Sequence, residues 1–280
     1  MDRKSILITG CSSGIGLCVA EGLAARGYRV FATARQQHDV AQLRERGLRA
    51  LQLDVTDSAM IREVVAQVVS ETGGTLYALF NNAGYAQPGA VEDLQRAWVR
   101  DNFETNVFGP WELTNRVIPI MRKQGYGRII QNSSVLGIIA LPFRGAYNAS
   151  KYAIEGWSDT LRLELHGSGI HVSLIEPGPI LSKFRANAFA MYKKNVDPQS
   201  SYFREVYWGM ERRLTKKGPA APFTLPPEAV LQAVIAALES ANPRPRYRVT
   251  VPTSLFAWLK RVLSTRTLDR LLRKVSRDEN

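Results

Sequence analysis

The chain has 280 residues, of which 45% are hydrophobic, which is enough for one large domain or two small ones with an ample core. It contains no uninterrupted apolar run of about 18 residues, so we expect no transmembrane helix. Its two cysteines and three histidines lack the spacing of metal ligands, so no metal site is expected, and two thiols without a disulfide framework favour a reducing, cytoplasmic environment.

Short apolar strands alternate with helical segments through most of the chain. The predicted strands are 5–9, 28–34, 49–55, 76–84, 127–134, 169–178 and 246–251, and the predicted helices are 14–26, 41–47, 58–72, 93–123, 147–166 and 226–240. Such alternation with apolar strands is typical of a parallel sheet covered by helices on both faces. We therefore predict an α/β fold with a doubly wound sheet of seven parallel strands.

Two segments carry most of the net charge of +12. Residues 180–218 hold nine Lys and Arg against three Asp and Glu, and residues 244–280 hold ten against three. No nucleic-acid recognition motif accompanies these cations, so acidic ligands, an anionic carrier or a membrane surface are better candidates than nucleic acid. We interpret 1–280 as one domain with a substrate lid at 180–225 and a basic amphipathic extension at 254–280.

A glycine-rich turn, "TGCSSGIG" at 9–16, follows the first predicted strand and opens the first helix. Gly10, Gly14 and Gly16 would let the backbone approach a pyrophosphate, and the helix N-terminus offers free N–H groups with a positive dipole end. The spacing differs from the usual GxGxxG fingerprint. The position of the turn nevertheless predicts a dinucleotide site, with Ser12 as an additional donor.

The second strand ends in "FATAR", where dinucleotide-binding folds contact the adenosine ribose. Arg35 stands there, and no acidic residue occurs before Asp39. Because an arginine accommodates a 2′-phosphate, the sequence favours NADP(H) over NAD(H), although Arg35 could be a plain surface residue. Asp54 could accept from the adenine amino group or could cap the following helix.

These motifs, with "NNAG" at 81–84, "ETNVFG", "NSSV", "YNASK" and "PGP" at 177–179, resemble the short-chain dehydrogenase/reductase family in kind and order over residues 4–180. The run "ASKYAIEGWSDTLRLEL" is most similar to its hydroxysteroid and retinol dehydrogenase branch, which includes bacterial aldehyde reductases. The resemblance implies a Rossmann-like fold and hydride exchange between a nicotinamide cofactor and a carbonyl or alcohol. It also implies a homodimer or homotetramer, formed through the helices at 106–123 and 147–166.

The resemblance implies four catalytic residues, Asn106, Ser134, Tyr147 and Lys151. Tyr147 would exchange a proton with the substrate oxygen, and Ser134 would donate a hydrogen bond to it. A free phenol has a pKa near about 10, so we expect Lys151, four residues along the same helix face, and the charge of a bound nicotinium to lower the pKa of Tyr147. Lys151 would also hold the ribose hydroxyls. Asn106 would hold a water near Lys151.

The remaining predicted cofactor contacts follow the same motif match. They are Ser13, Ile15, Val55, Asn82, Ala83, Gly84, Pro177, Gly178, Ile180 and Ser182. Many relatives carry Thr at the position of Ser182. Some NADP-preferring relatives carry a basic residue where this chain has Ser13, so the cofactor preference depends mainly on Arg35.

The predicted substrate pocket is apolar, as small-molecule sites commonly are. It comprises Ser134, Leu136, Leu141, Phe143, Tyr147 and Phe189. A lipophilic aldehyde or ketone would fit it, although the lid aromatics could instead anchor the lid to the core. The alternatives are reduction of a 3-oxoacyl group on an anionic carrier, a steroid or retinoid dehydrogenase working oxidatively, and a non-catalytic nucleotide-binding regulator.

Leu255, Leu259, Val262 and the leucines at 268, 271 and 272 recur at helical spacing in the C-terminal segment, with cations between them. This segment could pack beside the substrate mouth, contact another subunit or lie on an anionic membrane. We expect packing or a subunit contact rather than the peripheral membrane contact.

Overall fold

The computed structural model describes residues 3–219 and 221–277, and their seven strands form one parallel sheet in the order β3-β2-β1-β4-β5-β6-β7. The strands are β1 (Ser5–Ile8), β2 (Arg29–Ala34), β3 (Arg49–Gln52), β4 (Ala78–Asn81), β5 (Gly127–Asn132), β6 (Ile170–Glu176) and β7 (Arg246–Arg248). The predicted doubly wound, Rossmann-like α/β fold is confirmed. The chain reverses its direction of winding between β1 and β4, where ligands bind in open α/β sheets.

Helices connect the strands and cover the sheet. They are α1 (Gly14–Ala25), α2 (Gln37–Glu45), α3 (Ser58–Glu71), α4 (Arg96–Phe103), α5 (Gly109–Gln124), α6 (Gly145–Glu164), α7 (Phe184–Asn195), α8 (Arg204–Thr215), α9 (Glu228–Glu239), α10 (Val251–Val262) and α11 (Thr265–Arg277). No helix in the described part of the chain is both long and apolar enough to cross a bilayer.

The two faces of the sheet bury separate cores because successive side chains of a strand point to opposite faces. Ile6 and Ile8 pack with residues of α1, α2 and α9, whereas Leu7 packs with residues of α3, α5 and α6. A third apolar cluster lies outside the sheet, between the lid and the C-terminal helices. The site described below is at the border of this third cluster.

The structure differs from the sequence prediction in two places that matter for the site. The predicted helix 93–123 is interrupted by a π-helical turn, Glu104–Phe108, between α4 and α5. The predicted strand 246–251 ends at Arg248, because the Thr250 hydroxyl caps the next helix by accepting from the N–H of Thr253. Val251 therefore begins α10, and the C-terminal segment forms two helices.

The segment predicted as a lid, residues 180–225, contains α7 and α8 and is anchored by two fully buried tyrosines, Tyr192 and Tyr207. The Tyr207 hydroxyl accepts a hydrogen bond of 2.8 Å from the N–H of Ala90. The Tyr207 ring lies 6.1 Å from that of Phe143, whose φ of 59° is in the left-handed region. These two tyrosines therefore anchor the segment to the core, which is the alternative that the sequence left open for the lid aromatics.

The edge strand β7 is tied to the sheet by a network of buried charges. Arg246 lies 3.0 Å from a carboxylate oxygen of Glu176, 3.1 Å from one of Glu155 and 2.6 Å from one of Asp159. Glu176 is fully buried, and its pKa is raised to about 7, mainly by burial and also by the charge of Glu155, while Arg246 and Arg248 act to lower it. The arginine therefore compensates carboxylates that are costly to leave unpaired.

We predict that Arg246→Met lowers the free energy of unfolding by about 3 kcal/mol or more, because it removes the cation that the buried Glu155 and Glu176 share and leaves Glu176 with Arg248, at 3.4 Å. The pKa of Glu176 is raised on folding, so the stability linked to its proton is complete below its unfolded pKa and is lost as pH rises through about 7. The loss should thus be larger at about pH 8 than at about pH 5 in denaturant unfolding.

Arg162→Met is the matched control, because Arg162 pairs with the same Asp159 at 3.1 Å. Neither of these two side chains is buried, whereas Glu176 beside Arg246 is fully buried. The control should cost no more than about 1 kcal/mol. Equal losses in both variants, or a loss that shrinks at the higher pH, would contradict the role of the network.

Candidate active site

The glycine-rich turn leaves β1 at the centre of the sheet and closes tightly on itself. A Cβ atom added at Gly16 would lie 2.2 Å from the carbonyl oxygen of Gly10, so a side chain cannot be accommodated there. Gly14 has a φ of +58°, and a Cβ atom on it would lie 2.9 Å from the Cβ of Ser182. The predicted turn and the predicted residue Ser182 are therefore brought together.

The N-terminus of α1 opens into a cavity of about 410 Å³. Ser13 occupies the N-cap position but makes no side-chain capping hydrogen bond. Its neighbours in the lining include Ser12, Gly14, Ser182 and Lys183. Free helix N–H groups, hydroxyls and a cation are the donors that a pyrophosphate requires, so the residues present fit a dinucleotide. Lys183 was not predicted, because no spacing rule connects it with the turn.

Arg35 and Asp54 line a second, more open cavity of about 850 Å³ together with Arg62. Asp54 accepts from the N–H and the hydroxyl of Thr56, at 2.9 and 2.8 Å, and Asp57 rather than Asp54 caps α3. Arg35 is exposed at the end of β2, where it can reach an incoming anion. Val55 is buried behind Asp54, so only its backbone could contact a ligand.

The end of β4 is fixed to the glycine-rich turn by hydrogen bonds. The Thr9 hydroxyl accepts from the N–H groups of Asn82 and Ala83, both at 3.0 Å. The Asn82 amide donates to the carbonyls of Thr9 and Gly10, at 2.9 and 3.0 Å. Gly84 continues toward Asn106, whose side-chain oxygen would lie 3.0 Å from an added Cβ. Ile15 is only partly buried and packs on the core from the first turn of α1.

Ser134, Tyr147 and Lys151 are brought together beyond the end of β5, and all three are buried. Ser134 follows β5 and caps a short 3₁₀ turn, accepting from the N–H of Leu136 at 3.1 Å. Tyr147 and Lys151 lie one turn apart on α6, as their spacing predicts. The Lys151 ammonium lies 5.6 Å from the centroid of the Tyr147 ring.

The structure differs from the prediction about the phenol. Burial raises the pKa of Tyr147 well above its ordinary value, and a hydrogen bond with Ser134 is what lowers it in part. Lys151 is not among the groups that lower it, and its ammonium donates to the carbonyl of Asn132 at 2.7 Å. Tyr147 is consequently a neutral phenol at neutral pH, which is the proton-donating form. The lowering expected from a nicotinium charge stays a prediction.

Burial lowers the pKa of the Lys151 ammonium to about 8, and the charge of Glu155, one turn further along α6, partly opposes this. Glu155 also holds the hydroxyl of Ser133, the neighbour of Ser134, and pairs with Arg246. Glu155 was not among the predicted site residues. Its spacing of four from Lys151 is the only signal in the sequence, and such a pair usually lies on a solvated helix face.

Asn106 occupies the π turn and is fully buried. Its side-chain oxygen accepts from the N–H of Tyr85 at 3.0 Å, and its amide donates to the carbonyl of Tyr85 at 2.9 Å and to the Ser150 hydroxyl at 3.0 Å. The side chain therefore fixes the segment after Gly84 against α6. Its proposed role in holding a water beside Lys151 stays a prediction.

The segment after β6 runs along the same edge. The Pro177 carbonyl accepts from the N–H of Val135 at 2.8 Å, which holds the turn beside Ser134. Gly178 packs closely on the Thr250 hydroxyl, and Ile180 pairs with Leu225 across the base of the lid. The predicted residues from Pro177 to Ser182 thus connect the catalytic side with the glycine-rich turn.

The predicted substrate residues belong to the third apolar cluster. Leu136 and Tyr147 are buried in it, and Leu141, Phe143 and Phe189 are partly buried around them. Phe184, the first residue of α7, lies over the phenol with a ring distance of 5.4 Å. Phe184 was not predicted as a site residue, because only the folded lid brings α7 to Tyr147.

A family model described as short chain dehydrogenase matches residues 4–193. The chain is 42% identical over 270 residues to the uncharacterized oxidoreductase YbbO of Escherichia coli strain K12, covering 96% of this chain and 94% of that protein. It is 34% identical over 289 residues to human retinol dehydrogenase 8, covering 96% of this chain and 90% of that protein.

Solved structures of similar fold point to the same family. A short-chain dehydrogenase from Streptomyces avermitilis superposes with a TM-score of 0.76 at 31% identity, over 100% of both chains. The closed form of a serine dehydrogenase complexed with NADP⁺ superposes with a TM-score of 0.75 at 26% identity, over 89% of this chain and 95% of the other. With its glycine-rich turn and its buried Ser134, Tyr147 and Lys151, this chain is a member of the short-chain dehydrogenase family and an oxidoreductase.

Proposed function

We propose that this oxidoreductase uses NADP(H) to interconvert lipophilic aldehydes or ketones with their alcohols, with Tyr147 as the general acid and base. The observation that carries the proposal is the position of Tyr147. Its buried, neutral phenol lies between the hydrogen-bonding groups at the end of β5 and an apolar cluster. A carbonyl oxygen that reaches the phenol would leave the apolar remainder of its molecule in that cluster.

When bound, the nicotinamide supplies or accepts the hydride, and the residues of the chain manage the oxygen and its proton. Ser134 donates a hydrogen bond to the carbonyl oxygen, where negative charge develops. Tyr147 gives its proton to the same oxygen in reduction and takes it back in oxidation. Lys151, held by the Asn132 carbonyl, is positioned to bind the ribose hydroxyls, and Asn106 fixes the neighbouring backbone.

Burial keeps the Tyr147 phenol protonated, which is the form that gives a proton in reduction. An oxidative steroid or retinoid dehydrogenase would take the proton back with the same residue, so the direction depends on the substrate and cofactor supplied. The excess of cations on the lid supports a second candidate, reduction of a 3-oxoacyl group on an acidic carrier protein. The candidates differ in whether the carrier is needed for turnover.

Support for NADP(H) comes from Arg35 at the end of β2 and from the structurally similar serine dehydrogenase complexed with NADP⁺. Asp39 is the acidic residue closest in sequence, and it lines the other cavity beside Arg46. The cavity that would hold a 2′-phosphate is thus lined by Arg35 and Arg62 and also by Asp54 and Asp57, and the acidic residue that would favour NAD(H) is missing from the end of β2 itself.

We expect kcat/KM for the reduction of straight-chain aldehydes to rise with chain length, by up to about 4-fold per methylene group, as apolar surface enters the cluster.

Tyr147→Phe should lower kcat/KM by about 100-fold or more, since the proton donor is removed while the ring remains. Nicotinamide absorbance across an aldehyde series measures both effects.

A flat or falling aldehyde series would contradict the lipophilic substrate class. Turnover of 3-oxoacyl groups on an acidic carrier, but not of the same groups free in solution, would favour the second candidate. Unchanged activity of Tyr147→Phe would overturn the catalytic assignment and leave a nucleotide-binding regulator as the better interpretation.

We expect Arg35→Ala to raise KM for NADPH by about 10- to 100-fold, because it removes a charge-assisted contact with the 2′-phosphate, and to leave KM for NADH unchanged. Arg26→Ala is the control of equal charge, since Arg26 pairs with Glu239 at 2.8 Å at the C-terminal end of α1 and is not among the residues that line either cavity. Steady-state kinetics with both cofactors give the ratio. An equal change for NADPH and NADH in Arg35→Ala would show that Arg35 does not select the cofactor.

Reduction should depend on pH through Lys151. Its folded pKa is lowered to about 8, so the ammonium is present below this pH and is lost above it, and kcat/KM should fall as pH rises through about 8. Glu155→Gln removes a charge that raises the pKa of Lys151, so this fall should move to lower pH.

Asp159→Asn is the matched control, because Asp159 lies one turn further along α6 and shares Arg246 with Glu155. It should leave the fall in kcat/KM where it is in the wild type. If both variants move the profile equally, the effect belongs to the shared ion-pair network rather than to the charge of Glu155 on Lys151.

A further inference from the structure

Helix α10 carries a stripe of large apolar side chains that face water. Val251, Leu255, Trp258 and Val262 are 63%, 48%, 59% and 55% exposed. Their spacing of four, three and four residues places them on one face of the helix. Scattered exposed hydrophobics are ordinary, but four on a single face form a continuous apolar surface.

The rest of α10 is well packed, so the stripe is not the consequence of a loosely attached helix. Thr253 and Ala257 are buried, and Phe256 and Leu259 pack on the third apolar cluster. The Lys260 ammonium donates to the Tyr152 hydroxyl at 3.1 Å, which ties the helix to α6. The two faces of α10 thus have different neighbours: one borders the cluster that contains Tyr147, and the other borders water.

Exposed cations lie at the end of α10 and along α11, which follows it in the chain. Arg261 is exposed near the end of α10, and Arg266, Arg270 and Arg273 recur at spacings of four and three on the exposed face of α11, opposite the buried Leu268 and Leu272. None of these four arginines forms an ion pair with a residue in the part of the chain that the structure describes. Their charges are therefore available to an external anion.

We propose that the stripe on α10 docks on an anionic lipid bilayer, with Trp258 and its neighbours at the interface and the arginines near lipid phosphates. An exposed apolar face that includes a tryptophan, in a segment rich in exposed cations, is typical of helices that bind the membrane surface. A second copy of the chain fits the stripe less well, because it would bring two sets of unpaired arginines together.

This docking goes beyond the proposed function and does not require it. If the proposed substrate class is also correct, docking would place the apolar cluster beside Tyr147 close to the bilayer, since α10 separates the two. A lipophilic carbonyl compound could then reach the site from the lipid phase, where its concentration is highest.

The test is co-sedimentation of the full chain with vesicles of phosphatidylcholine alone and of phosphatidylcholine mixed with phosphatidylglycerol. We expect binding to the mixed vesicles that weakens with salt. Leu255→Ser/Trp258→Ser should reduce this binding by at least about 10-fold, because two large side chains no longer insert. Arg266→Glu/Arg270→Glu should abolish the preference for the anionic lipid.

Val91→Ser/Tyr202→Ser is the matched control, since both side chains are more exposed than the stripe but lie elsewhere, and it should bind like the wild type. Circular dichroism and turnover of a short, soluble aldehyde show that each variant is folded. No vesicle binding by the wild type, or equal binding by Leu255→Ser/Trp258→Ser, would overturn the proposal.

Light scattering tests whether a second copy of the chain, rather than a bilayer, covers the stripe. A wild-type dimer that Leu255→Ser/Trp258→Ser converts to a monomer, without vesicle binding, would assign the stripe to a second copy and also overturn docking. A wild-type chain that turns over substrate but does not bind vesicles contradicts only the docking, whereas a wild-type chain that binds vesicles but shows no turnover contradicts only the proposed reaction.

Discussion

The site depends on one chain of hydrogen bonds that joins three strand ends. The Lys151 ammonium donates to the carbonyl of Asn132 at 2.7 Å, and the Asn132 amide donates to the Asn82 side chain at 2.9 Å. The Asn82 amide in turn holds the carbonyls of the glycine-rich turn. The groups that would move a proton are thereby fixed relative to the turn that fits a dinucleotide. Such fixed geometry is the main contribution that a protein makes to hydride transfer from a cofactor.

Burial then determines the ionisation of the groups held in this way. The Tyr147 phenol is shielded by Phe184 and by the apolar cluster, so its neutral form is favoured. Burial in the same environment disfavours the charged form of Lys151 and lowers its pKa, and the negative charge of Glu155 partly opposes this effect. Because Glu155 is also bound to Arg246 on the edge strand, the ionisation of the catalytic helix is coupled to the closing edge of the sheet.

The third apolar cluster gives the lid and the C-terminal helices a common function. Tyr192 and Tyr207 fasten the lid from inside, while Leu268 and Leu272 attach α11 to the same cluster. The expected packing of the C-terminal segment beside the substrate side therefore holds for α11 and for the inner face of α10. The outer face of α10 has no such partner in the described chain, and this difference separates the two helices within one basic segment.

The sequence by itself determined the sheet, the glycine-rich turn and the proximity of Tyr147 to Lys151, because these follow from periodicity and from contacts a few residues apart. The residues that meet at the strand ends were identified through the resemblance of their motifs to a known family, and they lie together because the carboxyl ends of parallel strands share one edge of the sheet. Only the tertiary structure decided that Lys151 donates to Asn132, that Phe184 covers the phenol and that Arg246 compensates Glu155 and Glu176. Each of these contacts joins residues far apart in the chain or depends on burial, and neither property is encoded in local spacing. The effect of burial on the pKa of Tyr147 could not be derived from the sequence for the same reason: a charge four residues away is visible in the sequence, whereas desolvation of the phenol appears only once the residues that bury it are packed around it.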